Sequence, residues 1–161
     1  MTHMIGHHVQ AIEMSELAPT HGASPSIRIL AERIINAQQD EIESMQRWLR
    51  RRRLPVPEAR PAGMSGTGHA HGTLMPGMLT PEQMRQLDAA RGPEFDRLFL
   101  TFMIQHHQGA LTMVDQLFES HGAAQEDTIF KFASDVSADQ STEVARMQTM
   151  LAALPETSGS R

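Results

Sequence analysis

One pattern occurs twice in this chain, and it limits what the chain can fold into. Met4-Ile5-x-His7-His8-x-x-Ala11-x-x-Met14 returns 99 residues later as Met103-Ile104-x-His106-His107-x-x-Ala110-x-x-Met113. A second pattern follows in each half: Gln38-x-x-Glu41-x-x-x-Met45 matches Gln140-x-x-Glu143-x-x-x-Met147. The offset of this pair is 102, so a small insertion falls in the second inter-helix turn. A helix advances about 100° per residue, which puts positions three, four and seven apart on one face. Each half therefore reads as a helical hairpin with an apolar face, and two such hairpins bury those faces best against each other. The expected fold is all-α: a four-helix bundle of two repeated hairpins, approximately two-fold symmetric, joined by a long Met- and His-containing linker.

Local signals set the boundaries. A first helix over 2–18 stops before Pro19. Ser24-Pro25 supplies an N-cap followed by proline at the first helical position. Ile27, Leu30, Ile34, Ile42, Met45 and Leu49 then recur at helical spacing to about Arg53, where Leu54-Pro55-Val56-Pro57 breaks the run. Residues 54–79 form a linker without periodicity. Thr80-Pro81-Glu82 starts a short segment ending near Gly92-Pro93, and long helices follow over about 94–120 and 125–154. The chain is thus one domain over 1–161: repeat one 1–53, linker 54–79, repeat two 80–155, and a tail over 156–161 expected to be disordered.

Composition removes several function classes. A net charge of -5 argues against nucleic acid as a partner, because phosphate neutralisation needs a basic face. The run Arg50-Arg51-Arg52-Arg53 reads as a solvated helix end suited to the negative end of the macrodipole. With no cysteine there are no disulfides, zinc-thiolate sites, iron-sulfur clusters or thiol nucleophiles. No apolar run approaches the ~20 residues of a membrane span, and no signal peptide is visible. No nucleophilic constellation or phosphate-binding glycine loop is present, so an enzyme is the less favoured class.

The repeated positions carry the chemistry. Met4, His7, Ala11 and Met14 form one helical stripe, as do Met103, His106, Ala110 and Met113. His8 and His107 lie around the cylinder, within reach of Met4 and Met103 one turn back. One imidazole of each pair is expected to point inward and the other toward an adjoining groove. The two then serve separate sites, or one is a ligand and the other its support. Glu41 and Glu143 share faces with Gln38 and Gln140. They either ligate a metal or complete a hydrogen-bonded polar layer that orients the histidines.

Methionines divide by context. Met45, Met84, Met147 and Met150 read as core fillers. Met4, Met14, Met103 and Met113 stand beside imidazoles, and Met64, His69, His71, Met75 and Met78 lie in a linker with no core of its own to fill. Thioether with imidazole is a soft-to-borderline set that favours Cu(I), with Ag(I) by analogy, over Mg, Ca or Mn; zinc and iron fit it less well. The alternative for His69-Ala70-His71 is a flexible linker with incidental histidines. His3 could extend the first stripe, although Phe102 holds the matching place. His21 and His121 read as exposed bystanders in the turns.

Phe95-Asp96-x-x-Phe99-Leu100-x-x-Met103-Ile104-x-His106-His107-x-Gly109-Ala110-x-x-Met113, preceded by Met75-Pro76-Gly77-Met78-Leu79-Thr80, resembles the bacterial domain-of-unknown-function family numbered 305. The resemblance covers nearly the whole chain. It implies a four-helix bundle of ferritin-like type, usually exported, with periplasmic copper-binding proteins linked to copper resistance among the relatives. It implies no enzymatic activity. The first half begins at Met1, aligned with Leu100, so a helical turn and an export signal are expected ahead of it.

Three functions compete. The leading expectation is a copper-binding protein for sequestration, delivery or resistance, holding Cu(I) at the duplicated motifs and the linker. A ferritin-like di-metal oxidase would need Glu-x-x-His on two helices, whereas Glu13 aligns with Thr112 and the partner helices carry Gln-x-x-Glu. The third is a non-catalytic helical module with structural His pairs. A homodimer completing the bundle is also compatible with the sequence.

Overall fold

Four long helices and one short one make up the computed structural model, which describes residues 1–57, 74–122 and 125–155. They are α1 (Thr2–Glu16), α2 (Pro25–Arg51), α3 (Pro81–Ala89), α4 (Gly92–Glu119) and α5 (Asp127–Ala153). Helix α1 packs on α2 and α4 on α5, and the two hairpins meet chiefly along α1 and α4. Among the described residues no helix is long and apolar enough to cross a membrane.

The termini follow local chemistry. Pro25 opens α2 behind an extended Ser24, and Arg50 and Arg51 occupy its last turn against the negative end of the dipole. Arg52 lies over the Trp48 ring at 4.0 Å and pairs with Glu126 ahead of α5. Thr80 and Gln83 close a reciprocal capping box on α3, with Pro81 in the first turn.

Along α2, Ile27, Leu30, Ala31, Ile34, Gln38, Ile42, Met45 and Leu49 are buried, which is a stripe at three- and four-residue steps. The largest apolar cluster joins Met14, Leu30, Ile34, Leu87, Phe95, Phe99, Leu100, Met103 and Met147 at one end of the bundle. Two smaller clusters, one around Ile5, Ile42 and Met45 and one around Val114, Ala133 and Val136, occupy the other. The histidine pairs fall between these regions on α1 and α4, and form a polar layer across a largely apolar interior.

The α1–α2 turn is bolted to the second hairpin by polar contacts. Its Ser24 N–H donates to both carboxylate oxygens of the buried Asp96, at 3.1 and 3.3 Å. The Gly92 N–H donates to the His21 carbonyl at 2.9 Å. Gly22, at φ 69°, takes the left-handed turn that this approach requires. His21 is therefore not the exposed bystander that its loop position suggests: it is 5% exposed, held by Asp88, and lies against the Phe95 ring at 5.2 Å. His121 is exposed, as expected.

Candidate metal centre

All four repeated histidines are buried, each no more than 1% exposed. This corrects the expectation that one member of each pair faces a groove. His7 and His106 meet where α1 crosses α4, with ring centroids 3.8 Å apart and planes inclined at 38°. His8 and His107 flank them, at 6.4 Å from His7 and 6.2 Å from His106. Pairing an i and an i+1 residue inside one bundle works because α1 is covered on two sides, by α2 and by α4; His8 turns toward α2 and His7 toward α4.

The polar partners are specific. His8 Nε2 is hydrogen-bonded to Glu41 Oε2, and His107 Nε2 to Glu143 Oε2 at 2.6 Å. His7 Nε2 donates to the Pro76 carbonyl at 2.9 Å. Carboxylates and carbonyls accept, so each of these three imidazoles carries its proton on Nε2, and Nδ1 is left as a bare lone pair in the neutral ring. Those three Nδ1 atoms are buried without a hydrogen-bond partner, as are both ring nitrogens of His106. The Oε1 atoms of Gln38 and Gln140 share this condition. Each orphaned polar atom in a dry interior costs about 1–3 kcal/mol, so an arrangement with seven of them is poorly explained as a finished hydrogen-bonded layer.

Electrostatics keep the central rings neutral. Burial lowers the His7 pKa to about 4, with the Pro76 carbonyl opposing that shift and the neighbouring His8 and His107 adding to it. Burial also pushes His106 well below the ordinary imidazole value, reinforced by His7, His107 and His8; a polar contact with the His7 backbone, too loose for a hydrogen bond, opposes them. Neutral imidazoles with unpartnered lone pairs are metal ligands in waiting, and an Nε2–H tied to a carboxylate is the usual support for an Nδ1 donor. The donor set fits a soft or borderline cation. Among the described residues, no three His, Asp or Glu side chains surround a common point. A bound ion would therefore draw on thioethers as well as imidazoles.

The thioethers are distributed unevenly. Met4 is half-buried, in contact with the apolar clusters at the His-proximal end of α1. Met103 and Met14 are fully buried in the largest apolar cluster, and Met113 is half-buried. Met75 and Met78 belong to a segment that is docked rather than loose, which alters the picture of a linker without a core. Leu79 is 1% exposed in the main core, and Gln10 grips its backbone twice: Nε2 donates to the Leu79 carbonyl at 3.1 Å and Oε1 accepts from its N–H at 2.7 Å. A Cβ on Gly6 would lie 3.6 Å from the Met75 methyl, which places that thioether's end over α1. A Cβ on Gly109 would overlap the Pro76 carbonyl oxygen, so only glycine admits the strap there. His3 is exposed and does not join the buried stripe. Met64, His69 and His71 lie outside the described residues.

On the outer side, Glu41 and Glu143 line a cleft of about 300 Å³ between α2 and α5, together with Asp139, Gln140 and Arg33. The Asp139 carboxyl is held above its ordinary pKa, first by desolvation and then by the negative charges of Glu41, Glu143 and Asp135. The roles of Asp139, Asp96, Gln10 and the Pro76 carbonyl escape a reading of the repeats alone, because none of them has a repeated counterpart.

Comparisons with known proteins fit this architecture. No curated protein matches the chain by sequence. Among solved structures it is similar to a candidate secreted DUF305 protein from Streptomyces coelicolor, at 27% identity and TM-score 0.76, over 92% of this chain and 87% of that one. It is also similar to a DUF305 fragment from Deinococcus radiodurans, at 25% identity and TM-score 0.76, over 94% and 91% of the two chains. A third similar structure is CopM in its Cu(II)-bound form, at 29% identity and TM-score 0.71, over 94% and 92%. CopM also matches in Cu(I)-bound, silver-bound and apo forms. The sequence profile of the domain of unknown function DUF305 matches residues 1–151, and the chain belongs to that family.

Proposed function

We propose that this protein binds copper as cargo, taking Cu(I) into the histidine layer for sequestration, delivery or resistance. The observation that carries the proposal is the set of buried imidazole nitrogens without partners, three of them on rings whose opposite N–H is already anchored to an oxygen. His7, His8, His106 and His107 would supply nitrogen, and the thioethers would come from Met4 and Met103, one helical turn before His7 and His106, and from Met75, whose methyl lies over Gly6. Glu41 and Glu143 act as orienting groups on His8 and His107. Likeness to CopM, which has been crystallised with Cu(I), Cu(II) and silver, supports the choice of a soft cation. The candidate secreted relative supports an extracytoplasmic location.

The other functions fit less well. A di-metal oxidase needs free carboxylates converging from several helices, and here Glu41 and Glu143 each hold one imidazole while the buried Asp96 accepts from the Ser24 N–H. A purely structural histidine layer would leave its ring nitrogens paired. Competition for Cu(I) against a colourimetric chelator tests the proposal. The wild type should retain the ion, and a His7→Gln, His106→Gln, Met4→Leu, Met103→Leu variant that keeps its helical circular dichroism should release it. Equal retention by the two proteins would end the claim.

A further inference from the structure

The segment that crosses the histidine layer is a turn whose residue types fix its shape. Met75-Pro76-Gly77-Met78 closes on a hydrogen bond from the Met78 N–H to the Met75 carbonyl at 3.1 Å. Pro76 presets the second position, and Gly77, at φ 76°, supplies the left-handed third position of a type II turn. The carbonyl of the central peptide takes no part in the closing bond, so it is free for an outside donor. That carbonyl belongs to Pro76, and its donor is the His7 Nε2–H on α1 at 2.9 Å. The next carbonyl, of Gly77, accepts from Gln105 Nε2 on α4 at 3.3 Å. The turn therefore straddles the line along which His7 and His106 meet, with one hydrogen bond to each helix.

The turn is held more lightly than the residue after it. Leu79 is buried in the main core and clamped twice by Gln10. Leu74 is 46% exposed, and Met75, Pro76, Gly77 and Met78 are each partly exposed. Lifting the turn about Leu79 breaks two hydrogen bonds, uncovers little apolar surface and displaces no helix. The opposite side of the layer is closed differently. There His8 and His107 are bonded to the carboxylates of Glu41 and Glu143, charge-assisted contacts between packed helices. All four imidazoles are no more than 1% exposed, so an ion reaches them only when one of these covers opens. We propose that the Met75–Met78 turn is the gate of the histidine layer: it lifts about Leu79 to admit Cu(I) between α1 and α4, and closes over the ion with the Met75 thioether. The gate rests on the reading of that layer as the copper site. Because the moving turn carries a ligand, closure and capture are one event, and reopening sets the rate of release.

Carbethoxylation by diethylpyrocarbonate, mapped residue by residue in the metal-free protein, reads the opening, with the exposed His121 as reference. In the wild type His7 should react far more slowly than His121. A Cβ on Gly77 would lie 2.5 Å from the Gln105 carbonyl oxygen and 2.7 Å from the Gly109 Cα, so Gly77→Ala cannot keep the turn seated. It should speed His7 carbethoxylation by about tenfold or more, the worth of both lost hydrogen bonds, and leave His8 and His107 as slow as in the wild type. Gln105→Ala removes one tie without a clash and should speed it by about twofold; it tests the gate even if Gly77→Ala loses its helical circular dichroism. Transfer of Cu(I) from the loaded protein to excess bicinchoninate should quicken in the same order. The gate is overturned if His7 reacts equally slowly in all three proteins, or as fast as His121 in the wild type. It is also overturned if His8 or His107 reacts ahead of His7, which would put the entrance between α2 and α5. A wild type that fails to retain Cu(I) ends the copper reading instead, and the order of carbethoxylation still decides what covers His7.

Discussion

The two hairpins make the same contact in one place and opposite contacts in another. His8 meets Glu41 in the first hairpin as His107 meets Glu143 in the second. The central histidines differ: His7 is tied to the Pro76 carbonyl, whereas neither nitrogen of His106 has a partner. The strap over 74–79, which turns at Pro76-Gly77, causes the difference, because one segment cannot treat two symmetric helices alike. The residues beneath it record this. Gly6 and Gln10 on α1 correspond to Gln105 and Gly109 on α4, so small and amide positions are exchanged between the repeats. The lesson is that duplication supplies the ligand set, and departures from it decide which imidazole is left freest. His106 is that imidazole.

The largest expected effect tests what the two central rings share. The His7 pKa is about 4 in the fold, against 6.5 for the free ring. As pH falls below 6.5 the unfolded chain takes up a proton that the folded chain refuses until about 4, so stability is lost across that window and levels off beneath it. At about 1.4 kcal/mol per unit, His7 alone accounts for a loss of up to about 3 kcal/mol. The urea midpoint of the metal-free protein should drop between pH 7 and 4.5, and His7→Gln or His106→Gln should flatten the profile. A midpoint that shows no difference between wild type and both variants would remove the claim that these rings are held neutral.

Next in size is the contrast between the two glycines. Gly109→Ala forces its methyl onto the Pro76 carbonyl and should cost about 2–3 kcal/mol, or displace the strap. Gly6→Ala meets only a methionine methyl at ordinary contact distance and should be neutral or stabilise by about 0.5 kcal/mol, since alanine favours helix. Equal thermal shifts for the two would mean that the strap does not sit where the second repeat carries its glycine.

The shared contact is tested by Glu41→Gln and Glu143→Gln, compared side by side in Cu(I) competition. Each should weaken retention by roughly 10- to 100-fold, the range seen when a group supporting a ligating histidine is lost. Near-equal losses would support two equivalent orienting carboxylates. An effect confined to one of them would break the parallel, and no effect in either would remove their role.

What was legible in the sequence is what repeats. The helical stripes, the two hairpins and the shared faces of the His pairs and of Gln38/Glu41 and Gln140/Glu143 all rest on spacing within one helix. Their partners across the bundle follow because apolar faces must meet. The burial of His8 and His107 was missed, since a helical wheel shows an angle but not how many neighbours cover it. His21 was missed because its burial depends on Asp88 and Phe95, both more than sixty residues away in sequence. The docked strap left a trace that spacing rules do not read: a glycine in one repeat where the other has glutamine.

That exchange supplies the smallest effect and the finest test. Gln10 holds the Leu79 peptide by two hydrogen bonds at 3.1 and 2.7 Å, whereas Gln105 reaches the strap by one at 3.3 Å to Gly77 and also accepts from Gln83. Gln10→Ala strands a buried N–H and carbonyl, and should cost about 1–2 kcal/mol. Gln105→Ala leaves a half-exposed carbonyl that water can reach, and should cost about 0.5 kcal/mol. Chemical unfolding should therefore separate the two by about 1 kcal/mol, with the α1 side the costlier. The reverse order would place the main grip of the strap on α4. His106 would then lie on the better-anchored side, and the assignment of it as the freest imidazole would lose its structural basis.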